Sequence, residues 1–252
     1  VALAARLERF YDVWSQLFAG FHLTAAELER MFARGVQPRR PQRLHKVVYF
    51  RTREEYDAAL AKLQPGIAGT LGIYFGDVRT AYFFAGEEQD AGTIFHEATH
   101  QLFQEIRPAK SVVALSDNFW IVEGIACYME SLKFADGYVL VGGLDAGRVP
   151  AARVRLLQDG FYVPFAEMVT YGSQQVQRDL RIRTLYSQFA GQATFLMHDD
   201  DGRYRDAVSK YLQEVYRGAA RAATLEKTVE TSYVELDRQY REFLKGRSAA
   251  AE

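Results

Sequence analysis

One pentapeptide, His96-Glu97-Ala98-Thr99-His100, limits what this chain can become more than any other stretch. It lies in the run AGTIFHEATHQLFQEI, so Ala91 to Arg107 is predicted as a helix, ended by Arg107-Pro108. On a helix the two histidines stand one turn apart and project from the same edge. Phe95, Leu102 and Ile106, with Thr99 between them, form a second face that a core must cover. Two imidazoles so placed can hold one zinc ion. Glu97 then stands beside any water on the metal, where a general base is needed. His96 and His100 are the first two candidate zinc ligands and Glu97 the candidate base.

Zinc in a hydrolase takes three protein ligands and leaves one position open for water. A downstream third histidine behind a glycine is excluded, because Phe103 and Ile106 hold those positions. The remaining common solution is a glutamate on the following helix. Asp117 to about Phe134, with Ser116 as N-cap, is predicted as that helix, and it carries Trp120-Ile121-Val122-Glu123-Gly124-Ile125-Ala126-Cys127-Tyr128. A short loop lets it run back beside the first helix, which brings Glu123 near the histidine pair as third ligand. Gly124 costs about 1 kcal/mol against Ala inside a helix, so close approach of another element is expected there. Glu105 is the weaker ligand candidate, and Glu130, two turns after Glu123, is expected at the surface or behind the ligands.

The rest of the chain frames this pair of helices. Val1 to Phe18 has helical periodicity, and Thr24 with Glu27 is a capping box for a helix ending near Gly35. Pro38-Arg39-Arg40-Pro41 reads as a solvated connector. Leu44 to Phe50 reads as a strand with a helix after it, and Leu71 to Phe75 with Thr80 to Phe84 as a hairpin turning at Gly76-Asp77. Residues 135–147 are Gly-rich, suited to a short hairpin and loop. Helices are then expected over Ala151 to Gln158, Phe165 to Val169, Arg181 to His198, Tyr204 to Tyr216, and from the Ser232/Glu235 capping box to Leu244. The order predicts an α+β fold, mainly helical, with a small mixed sheet. A single domain over 1–252 is expected, in three parts: N-terminal helices (1–42), sheet and metal-bearing helices (43–134), and a helical C-terminal part (135–252).

The HEATH motif and W-I-V-E-G-I-A-C-Y together resemble the signature of gluzincins, the thermolysin-like and aminopeptidase-like zinc metallopeptidases, and most nearly bacterial families of the peptidase-MA-like group. The motifs cover roughly residues 70 to 130. The resemblance implies a zincin-like catalytic domain in which one Zn2+ is held by His96, His100 and Glu123, with Glu97 as general base. It implies that Thr80 to Phe84 is the edge strand that lines the cleft and pairs with an extended peptide. It also implies that Tyr186, in LYSQFAGQATFL, stands opposite the metal and stabilises the oxyanion, with Tyr171 and Tyr162 as weaker candidates. No G-x-M-E-N-type stretch precedes HEATH, which favours endopeptidase action. Cys127 stands where thermolysin has an Asp that orients a ligand histidine, so the support of the histidines is unassigned.

Composition narrows the partners. A formal net charge of −1 gives no electrostatic reason for a nucleic acid or anionic membrane partner, and no apolar run is long enough to span a bilayer. The single cysteine, Cys127, excludes an intramolecular disulfide and reads as a buried small hydrophobe. His198 is expected to be structural, and His22 and His45 incidental. A chain starting at Val1 without methionine leaves localisation open, with an extracytoplasmic place favoured if the chain is a processed form. The alternatives to a metalloendopeptidase are a metallopeptidase fold kept as a binding or scaffold module, and a zinc hydrolase of a non-peptide amide.

Overall fold

The computed structural model describes residues 2–35, 44–86 and 89–246. The Pro38–Pro41 connector and the tail beyond Gly246 lie outside the described residues. In chain order the elements are α1 (Ala2–Leu17), α2 (Ala19–His22), α3 (Ala25–Arg34), β1 (Lys46–Phe50), α4 (Arg53–Leu60), β2 (Ile73–Phe75), β3 (Thr80–Phe84), α5 (Ala91–Ile106) and α6 (Phe119–Glu130). They continue with β4 (Lys133–Ala135), β5 (Tyr138–Leu140), α7 (Val149–Leu157), α8 (Phe165–Met168), α9 (Ser173–Arg178), α10 (Ile182–His198), α11 (Arg205–Arg217), α12 (Thr224–Val229) and α13 (Tyr233–Leu244). The fold is α+β, mainly helical, with a three-stranded mixed sheet and a two-stranded one. Among the described residues no helix is long and apolar enough to cross a membrane.

The main sheet has the order β1-β3-β2, with β1 parallel and β2 antiparallel to β3. This corrects one expectation: Thr80–Phe84 is the central strand and not an edge. Its residues are suited to that place, since Thr80, Ala81, Phe83 and Phe84 are all buried, whereas β2 is only partly covered. The edges belong to β1 and β2, and both β2 and β3 contact α5.

α5 is started by Asp90, whose side chain accepts from the Thr93 N–H at 2.7 Å. Its apolar side packs on α1 and α2. Phe10 stacks on Phe95 at 4.8 Å, and Phe103 sits among Trp14, Phe18, Phe21 and Tyr216 at 4.7 to 5.3 Å between ring centroids. Phe95 and Leu102 are buried as the periodicity predicts, and so are Ile94, Ala98 and Phe103.

α6 begins at Phe119, not Asp117, and Ser116 does not cap it. Asn118 holds a left-handed backbone (φ 57°) that breaks the helix before it. The N–H groups of Asn118 and Phe119 are instead taken by the carbonyls of Val169 and Tyr171, at 2.9 and 3.0 Å. This cap comes from a distant segment, which local sequence cannot reveal. The helix also stops early, at Glu130, because Lys133–Ala135 leaves to pair with Tyr138–Leu140 across Asp136-Gly137, with Gly137 at φ 82°.

α6 is buried from Phe119 to Met129, between α5 and α10. A Cβ on Gly124 would lie 2.7 Å from the Phe189 carbonyl oxygen and 3.2 Å from Ala193 Cβ. The close approach expected at Gly124 is thus to α10. Gly124→Ala forces two helix backbones apart and is expected to cost about 1–3 kcal/mol in denaturant unfolding. A neutral effect would contradict that packing.

Candidate metal centre

The α5 geometry puts His96 and His100 side by side, and the antiparallel return of α6 puts Glu123 across from them. His96 Nε2 lies 3.0 Å from His100 Nε2 and 3.3 Å from Glu123 Oε2, and His100 Nε2 lies 3.7 Å from Glu123 Oε1. Donor atoms arranged tetrahedrally at about 2.0–2.1 Å from one zinc ion stand about 3.3 Å apart. The three separations bracket that value, and two imidazoles with one carboxylate form a donor set suited to zinc. The residues therefore fit the ion.

The electrostatics favour a positive charge at this point. Burial works against a charged His96, but Cys127, Glu123 and Glu130 overcome it and hold its pKa well above the ordinary value. Burial likewise works against an ionised Glu123, yet His100 and His96 pull its carboxyl well below the usual carboxylate range.

A second cluster shares His96. His96, Cys127 and Glu130 also bring their donor atoms within 4.8 Å of one another. Arg148 decides against a cation there, since its Nε and Nη2 both lie 2.8 Å from the Glu130 carboxylate. A guanidinium already neutralises that acid and repels a metal. Of the two clusters, the one that includes His100 is the better suited to a metal.

Glu97 faces the same space but is not among the three donors. Its Oε2 accepts the backbone N–H of Tyr74, in β2, at 2.8 Å. Burial raises the Glu97 carboxyl, against the opposing pull of His96 and His100. Tyr186, on α10, lies near Glu123, and burial and the Glu123 charge push its hydroxyl far above an ordinary tyrosine. Its ring lies 5.8 Å from the Arg148 guanidinium. Tyr162 and Tyr171 are engaged elsewhere, by Asp237 and Glu167.

Sequence reasoning missed several supports. Glu105 is buried and faces His45 Nδ1 at 2.9 Å, the Tyr74 hydroxyl at 3.2 Å and Gln101 Nε2 at 3.0 Å. It is not a ligand, and His45 is not incidental: together they tie β1 and β2 to α5. A buried Glu at the end of an apolar helix was the one available signal. Arg148 had none, because the loop that delivers it folds back from beyond the β4–β5 hairpin. His198 Nε2 lies 3.1 Å from the Tyr128 hydroxyl, and Cys127 is buried and free. His22 Nε2 lies 2.9 Å from the Ser15 carbonyl.

Neither the family models nor the curated proteins compared with this chain contain a match to it.

Proposed function

We propose that this protein is a zinc-dependent, gluzincin-like hydrolase with a zincin-like catalytic domain, which cuts peptide bonds within extended segments. The observation that carries the reading is the convergence of His96, His100 and Glu123, at donor separations of 3.0, 3.3 and 3.7 Å, beside Glu97. These three residues hold the zinc, which when bound supplies Lewis acidity, making water a better nucleophile and polarising the scissile carbonyl.

The chain's own residues supply the remaining chemistry. Tyr74 N–H fixes one Glu97 oxygen, which leaves the other to take the proton of the attacking water and pass it to the departing amine. The raised pKa of Glu97 brings this carboxylate closer to the range where proton transfer both ways is efficient. Tyr186 stays protonated and donates its hydroxyl to the negative charge developing on the substrate oxygen. The strand that offers its edge to an extended peptide is β2, next to α5, in place of Thr80–Phe84. β2 has only three residues, so it holds a short stretch of peptide.

The test is metal content by atomic emission after dialysis, with hydrolysis of unfolded casein followed with and without chelator. One zinc per chain is expected, with cleavage abolished by chelation and restored by added zinc. Absence of zinc overturns the metal centre. Bound zinc without turnover of a broad peptide library overturns proteolysis and leaves a binding module or a hydrolase of a non-peptide amide.

A further inference from the structure

α6 presents two carboxylates to the two nitrogens of one imidazole. Glu123 stands on the Nε2 side of His96, and Glu130 Oε1 lies 2.7 Å from its Nδ1, a charge contact out of line for a hydrogen bond. Glu130 is itself held by two parallel bonds from Arg148, each 2.8 Å, the fork-to-carboxylate geometry that fixes orientation most firmly. Arg148 is delivered by the loop after β5, which is pinned where Ser131 Oγ accepts the Gly142 N–H at 2.8 Å. That pin lies directly beyond the last residue of α6. The guanidinium also lies 5.8 Å from the Tyr186 ring centroid, so one side chain stands beside both Glu130 and the tyrosine that faces Glu123.

We infer that Glu130, clamped by Arg148, is a positioning residue whose charge beside His96 Nδ1 keeps the hydrogen on that nitrogen and leaves the bare Nε2 toward the metal. The inference rests on the zinc reading above. A carboxylate accepts and cannot donate, so the ring nitrogen beside it carries the hydrogen; a neutral imidazole has only one, and Nε2 is left with its lone pair. Cys127, one turn beyond Glu123, also interacts with His96, but a thiol is a weak acceptor and cannot impose that tautomer. The residue that orients the ligand therefore sits a turn further along α6 than Cys127. It depends on an arginine from another part of the chain.

The test compares wild type with Glu130→Ala, Glu130→Gln and Arg148→Ala. Zinc affinity is measured by chelator competition, Co2+ substitution by visible absorption, and the metal-free fold by thermal unfolding. Glu130→Ala is expected to weaken zinc binding by about 10–100-fold and to change the Co2+ bands. Glu130→Gln, which keeps an oxygen beside Nδ1 without the charge, is expected to lose less, with Arg148→Ala between them. If Glu130→Ala does not fold, the other two variants carry the comparison. Zinc affinities within about twofold of wild type in every folded variant overturn the positioning role and leave the zinc reading intact. A wild-type protein that takes up no zinc overturns both.

Discussion

Glu97→Gln is expected to lower peptide hydrolysis by about 10²–10⁴-fold while the protein still holds one zinc ion. In activation free energy that is about 3–5 kcal/mol. The substitution changes one atom's chemistry and little else. The glutamine oxygen can keep the 2.8 Å bond from Tyr74 N–H, so β2 stays in place, but the amide cannot accept the proton of water. Because Glu97 is outside the His96–His100–Glu123 donor set, metal content is expected to be unchanged. The loss should therefore fall on kcat, with KM little altered, since substrate binding along β2 does not use the missing charge. A variant that cleaves at the wild-type rate removes Glu97 from the mechanism; one that has lost its zinc shows that Glu97 belongs to the metal shell.

The largest effect on stability is expected from Phe103→Ala, about 3–5 kcal/mol. In a chain of this length that lowers the melting temperature by about 6–20 °C. Phe103 lies edge-on to Trp14, Phe18 and Phe21, at 4.9, 5.0 and 4.7 Å, and stacks on Tyr216 at 5.3 Å. Removing it opens a cavity lined by rings from α1, α2 and α11 that cannot collapse onto one another without moving three helices. The zinc stoichiometry of the folded fraction should not change, because Phe103 anchors the core side of α5 and the histidines leave from the other. Denaturant unfolding followed by circular dichroism measures the loss. A cost below about 1 kcal/mol would mean that α1 and α2 do not anchor α5.

Local rules account for the parts of this protein that a few adjacent residues control. The helical spacing of His96 and His100, the apolar side of α5 and the Thr24/Glu27 capping box all appear as read, the last with both reciprocal bonds. The second capping box is only half made. Ser232 accepts from the Glu235 N–H, but the Glu235 carboxylate is drawn to Arg238 and Gln239 instead. The short helices α2, α9 and α12 escaped notice, each being too short to establish a period. Strand existence was legible in the β-rich runs, whereas strand order was not, because a hairpin does not say on which side a third strand will pair. Here β1 pairs in parallel with β3 and leaves β2 at the edge.

What the sequence determined by itself is the candidate donor set: two histidines one turn apart, a glutamate next to the first, and a glutamate on the following helix with a glycine beside it. These follow from helix geometry and from which side chains can bind zinc, and both operate over a few residues. Tertiary structure alone decided what holds that set in place. Asn118 starts α6 only because Val169 and Tyr171 supply the partners for its first N–H groups. Tyr74 reaches Glu97 only because β2 is the outer strand beside α5. Arg148 reaches Glu130, and through it His96, only because the loop after β5 returns to the end of α6. Each of these is a contact between groups far apart in the chain, and such contacts are chosen by the packing of whole elements, on which no short motif has a hold.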